Sequence, residues 1–276
     1  MTGGVAAWRL TVHEELASTQ DVVLAAAAAG EPEGLAVLAR RQTAGRGTQG
    51  RPWHSTAGNL HLSFLWRPAG PARELPQWGL LVAVALAETV AELLPPDAEL
   101  ALKWPNDLLL GGAKCAGILT EAAPDGQGGI GWIIPGIGVN LREAPPLPDR
   151  PTASLAGAGI APPEPAAFAE RFLAALGRWR QQQQAAGFAP MREAWMRFGP
   201  ALGTPLWVRQ RHKMLSGRFA GLAEDGRLML EVEGVRIPVA AGELASMPPL
   251  ATRAGNNAPA AETPRRGRAE GPASGA

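Results

Sequence analysis

The chain has 276 residues, 46% of them hydrophobic, enough to bury a full core in one large domain or in one with a small companion. Its 26 basic and 25 acidic residues leave a formal net charge of +1, which argues against a broad nucleic-acid or anionic-membrane surface and confines any basic site to a local cluster. The single cysteine, Cys115, excludes an intrachain disulfide and a cysteine-based metal cluster and fits a reducing compartment.

The first residues carry Arg9, His13, Glu14 and Glu15 and so lack the apolar core of a signal peptide, which predicts a cytoplasmic protein. Ser18 and Thr19 precede an alanine-rich run over 21–29, read as a capped helix that Gly30 closes. Residues 35–39 read as a short buried strand leading to Gln42 and to the loop GRGTQGRPW over 45–53. Glycines there let the backbone turn N–H groups toward an anion, and guanidinium groups add charge for a phosphate or carboxylate. The Walker spacing G-x-x-x-x-G-K-[ST] is absent from this loop. Residues 59–66 then alternate, with Leu60, Leu62, Phe64 and Trp66 on one face, so the loop joins two strands.

The most apolar stretch, 79–94, is shorter than a bilayer span and carries Glu88 and Glu92 one helical turn apart; it predicts an amphipathic core helix over 80–94 and no membrane partner. KWPNDLLL over 103–110 reads as the end of a strand begun at Leu100, a turn at Pro105, Asn106 and Asp107, and a second strand. KCAGIL over 114–119 lies in a strand over 114–121, and a strand over 132–140 ends in GIGVN; together they predict an antiparallel meander with helices on one side, an α+β domain. Cys115 reads as a small buried hydrophobe of that sheet. The Pro- and Gly-rich segment 141–163 reads as a surface connection, followed by helices over 164–186 and, after Pro190, over 191–198. Short strands over 206–209, 214–222 and 227–233 predict a compact β-barrel of about 45 residues, and the segment beyond Pro248 has the composition of a disordered tail.

On the glycine-rich basic loop ending in Trp53, the KWPND segment, the K-x-A-G-I-L segment and GIGVN, in this order, the chain resembles the biotin protein ligases, in particular bacterial biotin–acetyl-CoA-carboxylase ligases without a DNA-binding domain. The resemblance covers about residues 18–250. It implies a class II synthetase-like catalytic domain with a mixed or antiparallel sheet over 1–200, an SH3-like barrel over 203–248 and a tail over 249–276. It also implies formation of biotinyl-5′-AMP from biotin and ATP, with magnesium, followed by transfer to a lysine of a biotin carboxyl carrier protein. Nucleic acid is not an expected partner, and an oligomer is left open. The alternatives are a lipoate or octanoate ligase and a non-catalytic biotin-binding regulator. A regulator that itself binds DNA would need a helix-turn-helix module, for which the stretch before Ser18 is too short.

By the same resemblance, Ser18, Thr19, Gln20, Gln42, Gly45, Arg46, Lys114 and Gly117 fall at biotin-contacting positions. Arg46, Arg51, Trp53, Lys103, Asn106, Asp107 and Asn140 fall at ATP or adenylate positions, with Trp53 as a lid. Lys114, Arg46 and Asp107 are the catalytic candidates, Asp107 also as a magnesium ligand and as the base for transfer. Two departures from the family stand out. Thr48 and Gln49 stand where arginines are usual, which predicts weaker retention of the adenylate, and Gln20 replaces the usual Asn.

Overall fold

The computed structural model describes residues 7–210 and 213–245, in which alternating apolar residues build two separate sheets. The first contains β1 (Arg9–Leu16), β2 (Leu35–Gln42), β3 (Leu60–Phe64), β4 (Leu100–Lys103), β5 (Asp107–Leu110), β6 (Ala113–Pro124) and β7 (Ile130–Val139). Their spatial order is β1-β2-β3-β7-β6-β5-β4. The expected antiparallel pairing holds from β2 through β3, β7, β6 and β5 to β4, but β1 and β2 are parallel, Arg9 opposite Leu35, so the sheet is mixed. A parallel pair needs a crossover, which is supplied by α1 (Thr19–Ala28). Strand β1 has no clear apolar alternation because it is a charged edge: Glu14 and Glu15 pair across to Arg40 at 3.1 Å and Arg41 at 2.8 Å. Such charges protect an edge from pairing with other chains.

Three further helices, α2 (Leu75–Ala91), α3 (Pro165–Ala186) and α4 (Ala189–Phe198), form a layer with the main core. Leu60, Leu62 and Phe64 of β3, Ala116 and Ile118 of β6, and Ile137 and Val139 of β7 all contribute to that core. Helix α2 begins five residues before the predicted start, with Pro76 in its first turn, where a missing N–H costs nothing. Its Glu88 accepts the indole N–H of Trp179 on α3 at 2.7 Å, so this carboxylate ties two helices together. The opposite face of the sheet carries a smaller cluster in which Val23 and Ala27 of α1 pack on Val37, Leu65 and Ile134. Both faces of β3 are thus covered, and its alternate residues His61 and Ser63 are buried.

The second sheet holds β8 (Pro205–Arg209), β9 (Met214–Leu222), β10 (Leu228–Val232), β11 (Val235–Val239) and β12 (Glu243–Ala245), all antiparallel in the order β11-β10-β9-β8-β12. The three strands expected here are joined by two more, one containing Pro238 and one only three residues long, neither of which has a strong strand signature. Its Phe219 meets Trp195 of α4 with ring centroids 6.2 Å apart, continuing the main core. The expected tail over 249–276 lies outside the described residues. Among the described residues no helix is long and apolar enough to cross a membrane.

His61 is 1% exposed; its Nδ1 lies 3.3 Å from the carbonyl of Ala39 and its Nε2 has no partner. Burial lowers its pKa from 6.5 to about 4, against a smaller opposing effect of that carbonyl. Below pH 6.5 the unfolded chain takes up a proton that the folded chain refuses until about pH 4, so stability falls as pH drops through this window, by about 3 kcal/mol in all. Urea denaturation across that window is expected to show the full slope in the wild type and a flatter one in His61→Leu; equal slopes would remove His61 as its source.

Candidate active site

The register of the sheet aligns His61, Gly138, Gly117, Asp107 and Lys103 in one row across β3, β7, β6, β5 and β4, and Ser63, Gly136 and Leu119 in a parallel one. Opposed residues share a face, so these rows lie on the α1 side. Where an ordinary sheet would project side chains, three glycines leave a trough. A Cβ on Gly138 or Gly117 would run into the indole of Trp53, and one on Gly136 into the side chain of Gln20.

The trough ends at the start of α1. Ser18 occupies the N-cap position, but its hydroxyl makes no capping bond; it faces a cavity of about 40 Å³ shared with Thr19, Gln20, Gln42, Arg46, Trp53, Asn106, Lys114 and Gly117. The cavity wall is held by buried polar bonds. Gln42 accepts from the Thr19 N–H at 2.8 Å, Thr19 and Ser63 hydroxyls are 2.8 Å apart, and Ser63 donates to Gln20 at 2.9 Å. The amide of Gln20 donates to Glu121 at 2.8 Å and to the Ile134 carbonyl at 2.9 Å. Asn106 donates to the Ile118 carbonyl at 2.8 Å.

Residues 45–53 fold back on themselves. Arg46 bridges to Pro52, the Gly47 N–H donates to Arg51 at 2.7 Å, and the Trp53 N–H donates to Gly45 at 2.9 Å. The tip, Thr48–Gly50, is a single 3-10 turn in which Gln49 and Gly50 take positive φ. The expectation that this loop aims its backbone N–H groups at an anion therefore fails at Gly47, Arg51 and Trp53, whose donors are used within the loop. What it presents to the site are side chains. Trp53 stands between the narrow cavity and a second one of about 430 Å³, lined also by Arg51, Pro52, Lys114, Asn140, Pro145, Leu147, Pro148 and Arg150.

Lys114 reaches both cavities because of a bulge. In an unbroken strand it would share the core-facing side of Ala116; the register between β5 and β6 shifts here, Ala116 opposing Leu108 and Lys114 opposing Leu109, so Cys115 is the extra residue. Such a bulge re-aims the side chain before it. The Lys114 ammonium crosses Gly117 to reach the Asp107 carboxylate at 2.6 Å and lies 5.7 Å from the Trp53 ring centroid. Cys115 is fully buried, and burial pushes its thiol up to about 12, which makes it a packing residue and not a nucleophile.

The other Asp107 oxygen faces Arg150 at 3.6 Å. Arg150 also meets Asp149 at 2.7 Å and Glu243 of β12 at 3.3 Å, and Glu243 accepts from Arg51 at 3.0 Å. Burial opposes ionisation of Glu243, but the bonds and charges of Arg51 and Arg150 outweigh it and hold its carboxyl below the usual glutamate range. Burial likewise lowers the pKa of Lys103, with Asp107 acting against it. Lys103 lines a third cavity of about 110 Å³ with Arg150, Arg209 and Glu243, apart from the other two.

The structure thus gathers all the residues expected near biotin except Gly45 around the narrow cavity; Gly45 stands behind it, where a Cβ would press on Gln42 and the Trp53 carbonyl. Arg46 lines that cavity but is held by Asp21 at 2.6 Å. Arg51, Trp53 and Asn140 line the larger cavity, Asn106 lies on the narrow side and Lys103 on the third. Sequence reading missed Arg150 and Glu243. The segment 141–163, expected as a surface connection, instead places Pro145, Leu147, Pro148 and Arg150 in the wall, and its Thr152 bridges directly to Lys114.

Residues 14–140 match the Biotin/lipoate A/B protein ligase family. The biotin–[acetyl-CoA-carboxylase] ligase of Paracoccus denitrificans is 38% identical over 213 residues, 75% of this chain and 88% of that protein. The enzyme of the same name from Mycobacterium tuberculosis is 34% identical over 88% of this chain and 91% of its own length. Among solved structures, biotin protein ligase from Aquifex aeolicus in complex with biotin and ATP superposes with a TM-score of 0.71 at 26% identity, covering 86% of this chain and 97% of that one.

Glu243 joins the second sheet to the ion network of the first, so Glu243→Gln leaves Arg51 and Arg150 without their shared carboxylate. The expected cost is about 1 kcal/mol at neutral pH, because Arg51 is partly exposed and solvent screens its share of the interaction. Because the folded pKa of Glu243 is depressed, its contribution is present above its unfolded value of 4.5 and is lost as pH falls through the folded value. Thermal denaturation should therefore separate wild type from Glu243→Gln at about pH 7 and bring them together at strongly acidic pH.

Proposed function

The chain belongs to the biotin protein ligases, and we propose that it joins biotin to ATP as biotinyl-5′-AMP, releasing pyrophosphate, and then passes the biotinyl group to one lysine of a biotin carboxyl carrier protein in the cytoplasm. One observation carries this reading: Lys114 stands where two cavities of different chemistry meet, with Trp53 between them. The narrow one offers hydroxyl and amide groups from Ser18, Thr19 and Gln42, suited to a neutral ureido ring that both donates and accepts. The wider one pairs apolar walls, Pro52, Pro145, Leu147 and Trp53, with cations, suited to an adenine and its phosphates.

In the first step the biotin carboxylate is already ionised at neutral pH, so no base is required. Its oxygen bonds to the α-phosphorus while the bond from that phosphorus to the bridging oxygen breaks, and the electron pair leaves with pyrophosphate. The task is to bring two anions together. The Lys114 ammonium, fixed by Asp107 at 2.6 Å, is positioned to neutralise carboxylate and α-phosphate at their meeting point. Fixed charges aimed at a developing negative charge commonly lower a reaction barrier more than any other device an enzyme uses.

In the second step the carrier's lysine nitrogen attacks the acyl carbon, the bond to AMP breaks, and one proton must leave the amine. At a pKa near 10.4, only about 0.04% of that amine is neutral at pH 7. Asp107 is the carboxylate closest to Lys114 and the candidate base for that proton. Both of its oxygens already face cations, and among the described residues no three His, Cys, Asp or Glu side chains gather as a metal site. A magnesium ion that arrives with ATP needs only one or two carboxylates beside the phosphates, and Asp107 is the residue that would offer one.

Biotin-dependent exchange of pyrophosphate into ATP tests the reading. Exchange is expected with biotin and not with lipoate or octanoate, whose apolar chains offer no hydrogen-bonding group to the hydroxyl and amide lining of the narrow cavity; exchange with lipoate alone would overturn it. For Asp107→Ala supplied with preformed biotinyl-AMP, transfer to the carrier is expected to slow about 100-fold, and an unchanged rate would remove Asp107 as the base.

A further inference from the structure

The loop tip carries Thr48 and Gln49; of the two arginines beside it, Arg46 is held by Asp21 at 2.6 Å, and Arg51 shares Glu243 with Arg150, at 3.0 and 3.3 Å. Arg150 enters the same space from the segment after β7. The backbone next to it is fixed to the strand of Lys114: the Lys114 N–H donates to the Pro151 carbonyl at 2.9 Å, and the Ala153 N–H donates to the Lys114 carbonyl at 2.9 Å. The placement of Arg150 is thus set by the residue at the centre of the site, not by a free loop.

Its side chain is 19% exposed and forms part of the wall of both the 430 Å³ cavity, with Lys114 and Trp53, and the 110 Å³ cavity, with Lys103 and Arg209. Four cations stand around it, Lys103, Lys114, Arg51 and Arg209, which with Arg150 make five positive charges against three carboxylates, Asp107, Asp149 and Glu243. The surplus of about two positive charges in a partly buried place favours a polyanion. A guanidinium fork in particular matches a pair of phosphate oxygens.

We propose that Arg150 contacts the phosphates of ATP during adenylation, supplying from this segment the guanidinium that the glycine loop lacks. The proposal rests on the ligase reading. Lys114 then neutralises the charge on the biotin side of the α-phosphorus, and Arg150 neutralises the charge that builds on the departing pyrophosphate as its bond to that phosphorus breaks. Asp149, Glu243 and Asp107 hold the guanidinium in place before the triphosphate arrives.

The test uses the full chain with Arg150→Ala and the charge-keeping Arg150→Lys, in pyrophosphate exchange with ATP and biotin varied separately. Exchange by the wild type establishes the ligase reading on its own; its absence would sink that reading and this proposal with it, whereas a failure confined to the Arg150 variants bears on this proposal alone. The decisive quantity is the loss in kcat/KM for ATP divided by the loss for biotin. For Arg150→Ala the ATP loss is expected to be about 100-fold and the ratio at least about tenfold, with Arg150→Lys losing less because it keeps the charge without the fork. A ratio near one in both variants, whether from full activity or from a general loss of structure, would overturn the role of Arg150.

Discussion

The space on the α1 side of the sheet exists because Gly117, Gly136 and Gly138 carry no side chain in a register that places them side by side. On the other face, the neighbouring residues Ala116, Ile118, Ile137 and Val139 build the main core. The same two strands therefore serve as packing surface on one side and as floor of a cavity on the other, and the division is set by parity along the strand. A slip of one residue would bury the trough and expose the core, so the helix layer that fixes the register also protects the site.

Parity also explains why the lysine needs an irregularity. Gly117 must face the trough, which would turn Lys114 into the core; the additional residue at Cys115 resolves the conflict, and the apolar thiol takes the core position. From there the charges form a chain, Lys114 to Asp107, Asp107 to Arg150, Arg150 to Glu243, Glu243 to Arg51. Carboxylates alternate with cations, so each charge that burial would penalise has a partner, and the second sheet is drawn into the site through one side chain.

Strands with strong alternation, β3, β6 and β7, could be read directly from the sequence, as could the helices, because burial of one face imposes a period. Strand β1 could not, since its stability comes from pairing and cross-strand charges instead of a buried face. The glycine loop and the KWPND segment, distant in sequence, meet in space, and Lys114, Trp53 and Asn106 stand around one cavity. The bulge at Cys115 and the reach of Arg150 left no periodic trace. Arg150 lies in a Pro- and Gly-rich stretch whose course is fixed by two backbone bonds to Lys114, and contacts between residues distant in sequence are not written in local pattern.

The indole of Trp53 rests on Gly117 and Gly138, the surface that a ligand in the trough would use. The free protein is in this sense its own first ligand. Any molecule that must lie on those glycines binds only the fraction of chains in which the indole has moved, and its apparent dissociation constant is the intrinsic one divided by that fraction. A substitution that shortens the side chain at position 53 would thus act on affinity twice and in opposite directions, removing a contact with the bound ligand and removing the competitor for its place.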